Sequence, residues 1–152
     1  MGQQAPFKRD VIITIASKQN FEGCEPDHID LITAGRLYRR GGKYYISYEE
    51  SELTGMKGTR TTLKLEEDQV TMTRTGTHPS QMLFAKNRRH VGLYHTDVGS
   101  LTVSTHTSQM VNTIGEDGGN LAIDYTVEID SNLAGKHHFE MVVTPSDEQK
   151  MA

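Results

Sequence analysis

The chain has 152 residues, enough for one domain with a real core and too few to expect two. A formal charge of −4, with 24% charged and 35% hydrophobic residues, describes a polar folded domain; a nucleic-acid binder would carry a basic excess or a basic face. The single cysteine, Cys24, excludes an intrachain disulfide and a zinc site built on cysteines.

From the N-terminus, MGQQAPFKRD lacks the apolar centre of a signal peptide, and Pro6 stands where a myristoylation signal needs Ser or Thr. The longest apolar run, Val11 to Ala16 with Thr14 inside it, is far too short to span a membrane. The expected setting is cytoplasmic, with no membrane and no nucleic-acid partner. The expected domain covers residues 8–145, between flexible ends at 1–7 and 146–152.

Nearly every following segment alternates with period two, the signature of half-buried strands. Val11, Ile13 and Ile15 share one face, as do Leu31, Thr33, Gly35 and Leu37. After the Gly41-Gly42 turn come Tyr44, Ile46 and Tyr48, then Leu63 and Leu65, then Val70 and Met72. Met82 and Phe84, Tyr94, and Leu101 with Val103 continue the series. It ends with Leu121, Ile123, Tyr125, Val127 and Ile129, then Phe139, Met141 and Val143. Threonine is frequent within these runs, which suits strands. The basic runs Arg39-Arg40 and Lys86 to His90 read as turn flanks. Strands in this number, joined by short connections, predict an all-β domain: a single closed antiparallel up-and-down barrel of about eight to ten strands. Closure removes exposed edges, and a two-sheet sandwich is the alternative.

Register can be read locally. If Leu65 and Val70 close one hairpin, Leu63 faces Met72 and Thr61 faces Arg74; if Glu50 pairs with Thr59, Tyr48 faces Thr61. One inward face then ends in Tyr48, Glu50, Thr59, Thr61 and Arg74. Strand spacing of about 4.8 Å lets Arg74 reach Glu50 two strands away. An inward arginine needs such a partner, because a lone buried charge is costly. The cluster either seals a barrel mouth or orients a polar group of a small ligand there. The candidate ligand-binding residues are Tyr48, Glu50, Thr61 and Arg74, with Tyr94 and Tyr125 lining the same interior.

The stretch YYISYEESELTGMKGTRTTLKL, with VTMTRTG, MLF and LYHTDVGSLTVSTHT, resembles the YwiB-like bacterial proteins of unknown function. The resemblance covers about Val11 to Val143. It implies a calycin-like (lipocalin-like) barrel and no established activity. The chain departs from that pattern at Thr96-Asp97-Val98-Gly99, where the family often has a Thr-Pro-x-Gly turn.

Other chemistry finds less support. Seven histidines show no H-x-H or HExxH spacing, and His137 and His138 point to opposite faces of a strand, so no metal and no cofactor are expected. Gly55-Met56-Lys57-Gly58-Thr59 lacks the Gly-Lys-Ser/Thr end of a phosphate loop. Glu49 and Glu50 also face opposite ways, which leaves at most Glu50 and Glu52 for acid–base work. Acids surround Cys24 and disfavour its thiolate. The leading expectation is a small-ligand-binding barrel. A self-associating structural module with a filled interior, for instance a homodimer, comes second, and an enzyme third.

Overall fold

The computed structural model describes residues 7–21, 27–51, 57–77, 79–96 and 99–146; for Phe21, Tyr94 to Thr96 and Leu133 the description covers the backbone. Cys24, Glu52, the Gly55-Met56 segment, His78 and the Asp97-Val98 turn lie outside the described residues.

Ten strands follow one another: β1 Phe7–Phe21, β2 Asp27–Arg40, β3 Lys43–Glu49, β4 Thr59–Leu65, β5 Gln69–Gly76, β6 Ser80–Ala85, β7 Arg89–Thr96, β8 Gly99–Asn112, β9 Gly119–Ile129 and β10 Asn132–Pro145. They form one sheet in the order β6-β5-β4-β3-β2-β1-β10-β9-β8-β7, and each ladder is antiparallel. Sequence neighbours pair as hairpins, and β1 with β10 joins the two ends of the chain. β1 begins at Phe7, a residue grouped above with the N-terminal end.

Local chemistry sets these hairpins. Gly41 and Gly42 have φ of 61° and 80°, the double positive φ of a two-residue turn that matches strand twist. Arg40 therefore pairs with Lys43, and the ladder runs on to Gly35 opposite Tyr48. The register through β3, β4 and β5 is the one expected: Tyr48 faces Thr61, Thr61 faces Arg74, and Leu65 faces Val70.

The sheet curls into a nearly closed barrel. Its two outermost strands do not form a ladder with each other. Lys86, just after β6, instead makes a parallel bridge to Thr107 of β8. Asn87 N donates to Thr107 O at 2.8 Å, and Thr107 N donates to Arg88 O at 3.2 Å. A bulge between Thr107 and Gln109 reshapes β8 at this seam.

Inward side chains from both halves of the sheet fill the middle. Val11, Ile13, Leu37, Ile46, Leu63 and Leu121 are each at most 1% exposed. Each such side chain contributes about 1.5–3 kcal/mol through loss of apolar surface to water.

The floor of the barrel is sealed by a group that sequence patterning placed in a turn flank. Arg39 is 6% exposed. Its guanidinium lies 4.7 Å from the Phe7 ring centroid and 5.5 Å from that of Tyr44. Nη1 is 3.0 Å from the Tyr44 hydroxyl and 3.6 Å from Glu116 Oε2. Arg9 Nη1 donates to the Glu116 carbonyl at 2.8 Å, and Ile114 from the β8–β9 connection is buried. Arg39 alternates with Leu37 on the inner face of β2, so its neighbour Arg40 takes the solvent side.

Candidate ligand site at the barrel mouth

Opposite that floor the interior opens into a cavity of about 390 Å³. Its walls are mainly apolar: Ile15 from β1, Leu31 from β2, Met72 and Met82 from the paired β5 and β6, and Phe139 from β10. Unbranched methionines adapt to ligand shape more readily than branched side chains do. The polar residues on the wall include Tyr48, Glu50, Arg74, Tyr125 and His137.

β3, β4 and β5 bring the polar group together because their ladders are in phase. Thr61 Oγ1 donates a short hydrogen bond to Glu50 Oε2. Arg74 Nε donates to Thr61 Oγ1 at 3.3 Å and lies 3.7 Å from Glu50 Oε2. The Glu50 backbone N donates to Thr59 O at 2.8 Å, which extends the ladder by one residue and holds the carboxylate inward. The Glu50 side chain is 2% exposed and that of Arg74 is 21%. Burial pushes the Tyr48 phenol far above its ordinary range, and the adjacent Glu50 carboxylate pushes in the same direction. Tyr48 therefore stays protonated, and it is hydrogen-bonded to Glu50.

Five of the six expected residues have described side chains. Tyr48, Glu50, Arg74 and Tyr125 reach the cavity wall. Thr61 is fully buried behind it and links Arg74 to Glu50. Tyr94 lies on β7 opposite Leu101, and its side chain lies outside the described residues.

His137 is a member of the wall that spacing alone did not single out. Its ring stacks on Tyr125 with centroids 4.8 Å apart and planes at 6°, and Tyr125 in turn packs against Phe84 at 4.8 Å. Burial lowers the His137 pKa, which favours the neutral ring. Alternation with buried Phe139 and Met141 was the available signal. His138 points the other way, between Asp124 and Glu140 Oε1, the latter at 2.8 Å. Among the described residues, no group of three or more His, Cys, Asp or Glu could hold a metal ion.

A second depression, of about 540 Å³, lies outside the barrel where β2 and β3 diverge beyond Gly35. Its charged walls are already paired: Arg36 with Asp10 at 3.7 Å and Arg60 with Glu49 at 2.7 Å. The inner cavity has the chemistry of a ligand site, with apolar walls and a few fixed polar groups.

Residues 13–141 match the family model described as a domain of unknown function, DUF1934. The chain belongs to the DUF1934 family. This DUF1934 chain is 26% identical over 145 residues to the uncharacterized beta-barrel protein YwiB of Bacillus subtilis (strain 168), covering 95% of each chain. It superposes on the crystal structure of the ywiB protein from Bacillus subtilis with a TM-score of 0.79, covering 91% of this chain and 92% of that one. At 20% identity that likeness concerns the fold. Among the described residues, no helix is long and apolar enough to cross a membrane.

Proposed function

We propose that the DUF1934 barrel binds a small amphipathic molecule at its polar mouth. The ligand's apolar body occupies the cavity, and its hydrogen-bond acceptor, a carbonyl or carboxylate, meets Arg74. The observation that carries this reading is the division of labour within Arg74. Its Nε is engaged by Thr61 and Glu50, whereas Nη1 and Nη2 have no hydrogen-bond partner among the described residues. A fixed guanidinium edge on an apolar cavity is a directional donor for a planar acceptor. Glu50 offsets the charge of Arg74, so a neutral carbonyl is accommodated as well as an anion. The cavity volume speaks against a barrel filled by its own side chains. Glu50 accepts hydrogen bonds from Thr61 and Tyr48, which suits a positioning role more than proton transfer to a substrate. The single cysteine accords with a reducing, cytoplasmic setting.

The test uses 1-anilinonaphthalene-8-sulfonate, an apolar fluorophore with an anionic acceptor, alongside native mass spectrometry of protein purified from its own host. Saturable binding of one probe per chain is expected, with Kd on the order of 10 µM for a ligand of this size. Arg74→Ala should weaken it at least tenfold, and Val103→Phe, a larger side chain at a β8 position that lines the cavity, should abolish it. A co-purifying adduct should vanish in the same variants. Probe binding indifferent to both substitutions would refute the assignment.

A further inference from the structure

The apolar part of the cavity wall is not uniform. Branched aliphatic side chains such as Ile15 and Leu31 accept an alkyl chain or a ring equally well, because burial of apolar surface is non-directional. A second set of groups discriminates between them. Met72 and Met82 face each other across the β5–β6 ladder, and Phe84 follows Met82 on the same face of β6. Phe84 packs on Tyr125 of β9, whose ring stacks on His137 of β10. Thioethers and rings thus form one belt that crosses the seam of the barrel. Met72, Met82, Tyr125 and His137 of this belt line the cavity.

These groups favour a π system over an alkyl chain. Thioether sulfur attracts aromatic rings, and ring pairs gain attraction beyond the area they bury. Tyr125 is already held between Phe84 and His137, so it loses little freedom when a ligand packs on it. The acceptor site is close by. Arg74 stands two residues from Met72 on the same face of β5, about 7 Å along the strand. That spacing suits an acceptor carried on a ring or one atom from it. The guanidinium is itself planar and stacks on aromatic faces.

Given the ligand site proposed above, and resting on it, we infer that the ligand's body is an aromatic ring system bearing the acceptor that meets Arg74. The test sets 1-naphthoate against undecanoate, acids with equal numbers of carbons and one carboxylate each. Both compete with 1-anilinonaphthalene-8-sulfonate on the full chain. Apolar area alone favours undecanoate. Naphthoate should nevertheless bind about tenfold more tightly. Tyr125→Leu should bring the two acids to within about threefold of each other, whereas Tyr125→Phe, which keeps the ring, should retain the preference. His137→Leu repeats the first comparison should Tyr125→Leu misfold. With the fluorophore held through Arg74, equal or tighter undecanoate binding, or failure of both acids to compete, overturns the aromatic assignment and leaves the ligand site standing. So does a preference that survives Tyr125→Leu and His137→Leu, or one that Tyr125→Phe loses as fully as Tyr125→Leu. A fluorophore that does not bind, or that binds regardless of Arg74→Ala and Val103→Phe, removes the site itself and the aromatic assignment with it.

Discussion

Arg74 Nε lies 3.7 Å from Glu50 Oε2 across the intervening strand β4, and the Thr61 hydroxyl bonds to both side chains. The carboxylate is nearly inaccessible, whereas the guanidinium is one-fifth exposed, so removing the arginine leaves the more deeply buried charge without its counter-ion. Arg74→Met should destabilise the fold by about 1–3 kcal/mol, less than a fully buried pair because solvent reaches the guanidinium. The double variant Glu50→Gln, Arg74→Met should cost less than the sum of the two singles by about 1 kcal/mol. Urea unfolding of the four proteins measures this coupling, and additivity within error would show that the two groups act separately.

Arg39 offers a contrasting case at the barrel floor. Between Phe7, Tyr44 and Glu116 its guanidinium has both aromatic and charged partners. Arg39→Ala should cost about 2–4 kcal/mol through lost packing and an unsatisfied Tyr44 hydroxyl. Arg39→Lys should recover less than half of that, because an ammonium cannot reproduce the planar stacking. Neither change should alter probe affinity at the mouth by more than about twofold, measured on the folded fraction, since the floor and the cavity lie at opposite ends.

Gly35 marks the place where β3 leaves β2. A Cβ there would lie 2.4 Å from Ile13 Cδ1 and 2.7 Å from the Ser47 carbonyl oxygen. The isoleucine methyl can move, but a ladder carbonyl cannot without breaking its strand. Gly35→Ala should therefore cost about 1–3 kcal/mol as an overpacking change, seen as a lower urea midpoint with an unchanged slope. A variant as stable as wild type would show that the two strands separate there more freely than this contact implies.

His138 makes stability pH-dependent. Hydrogen bonds to Glu140 and Asp124 raise its pKa above the ordinary 6.5. A group protonated more readily in the folded state gives its full stabilisation below pH 6.5 and loses it as pH rises through the higher folded pKa. His137, lowered by burial, acts in the opposite sense: its contribution is complete above 6.5 and fades as pH falls. Comparing wild type with His138→Gln between pH 6 and 9 isolates the first effect. The wild type should lose roughly 0.2–1 kcal/mol more than the variant across that range, a value limited by solvent exposure. Parallel curves would show that the triad contributes nothing to folding.

Much of this architecture is visible residue by residue. Period-two alternation separates Tyr48 and Glu50 from Glu49, and the Leu65–Val70 hairpin and the Glu50–Thr59 pairing each start a ladder in which every pairing follows from the one before. That is why the Tyr48, Thr61 and Arg74 row can be written down from local pairing alone. Alternation assigns a side chain to a face, however, and it does not say which distant strands that face will meet. Arg39 satisfies the pattern of an inward residue, yet its burial depends on Phe7 from β1, Tyr44 from β3 and Glu116 from the β8–β9 connection. The stacking of His137 on Tyr125, the Lys86–Thr107 seam and the cavity at the mouth likewise arise only when the sheet curls and brings its ends together. Short-range periodicity settled most of the strands, the register through β3, β4 and β5 and the polar row; closure of the barrel, which joins residues remote in sequence, decided which end is sealed and which opens into a cavity.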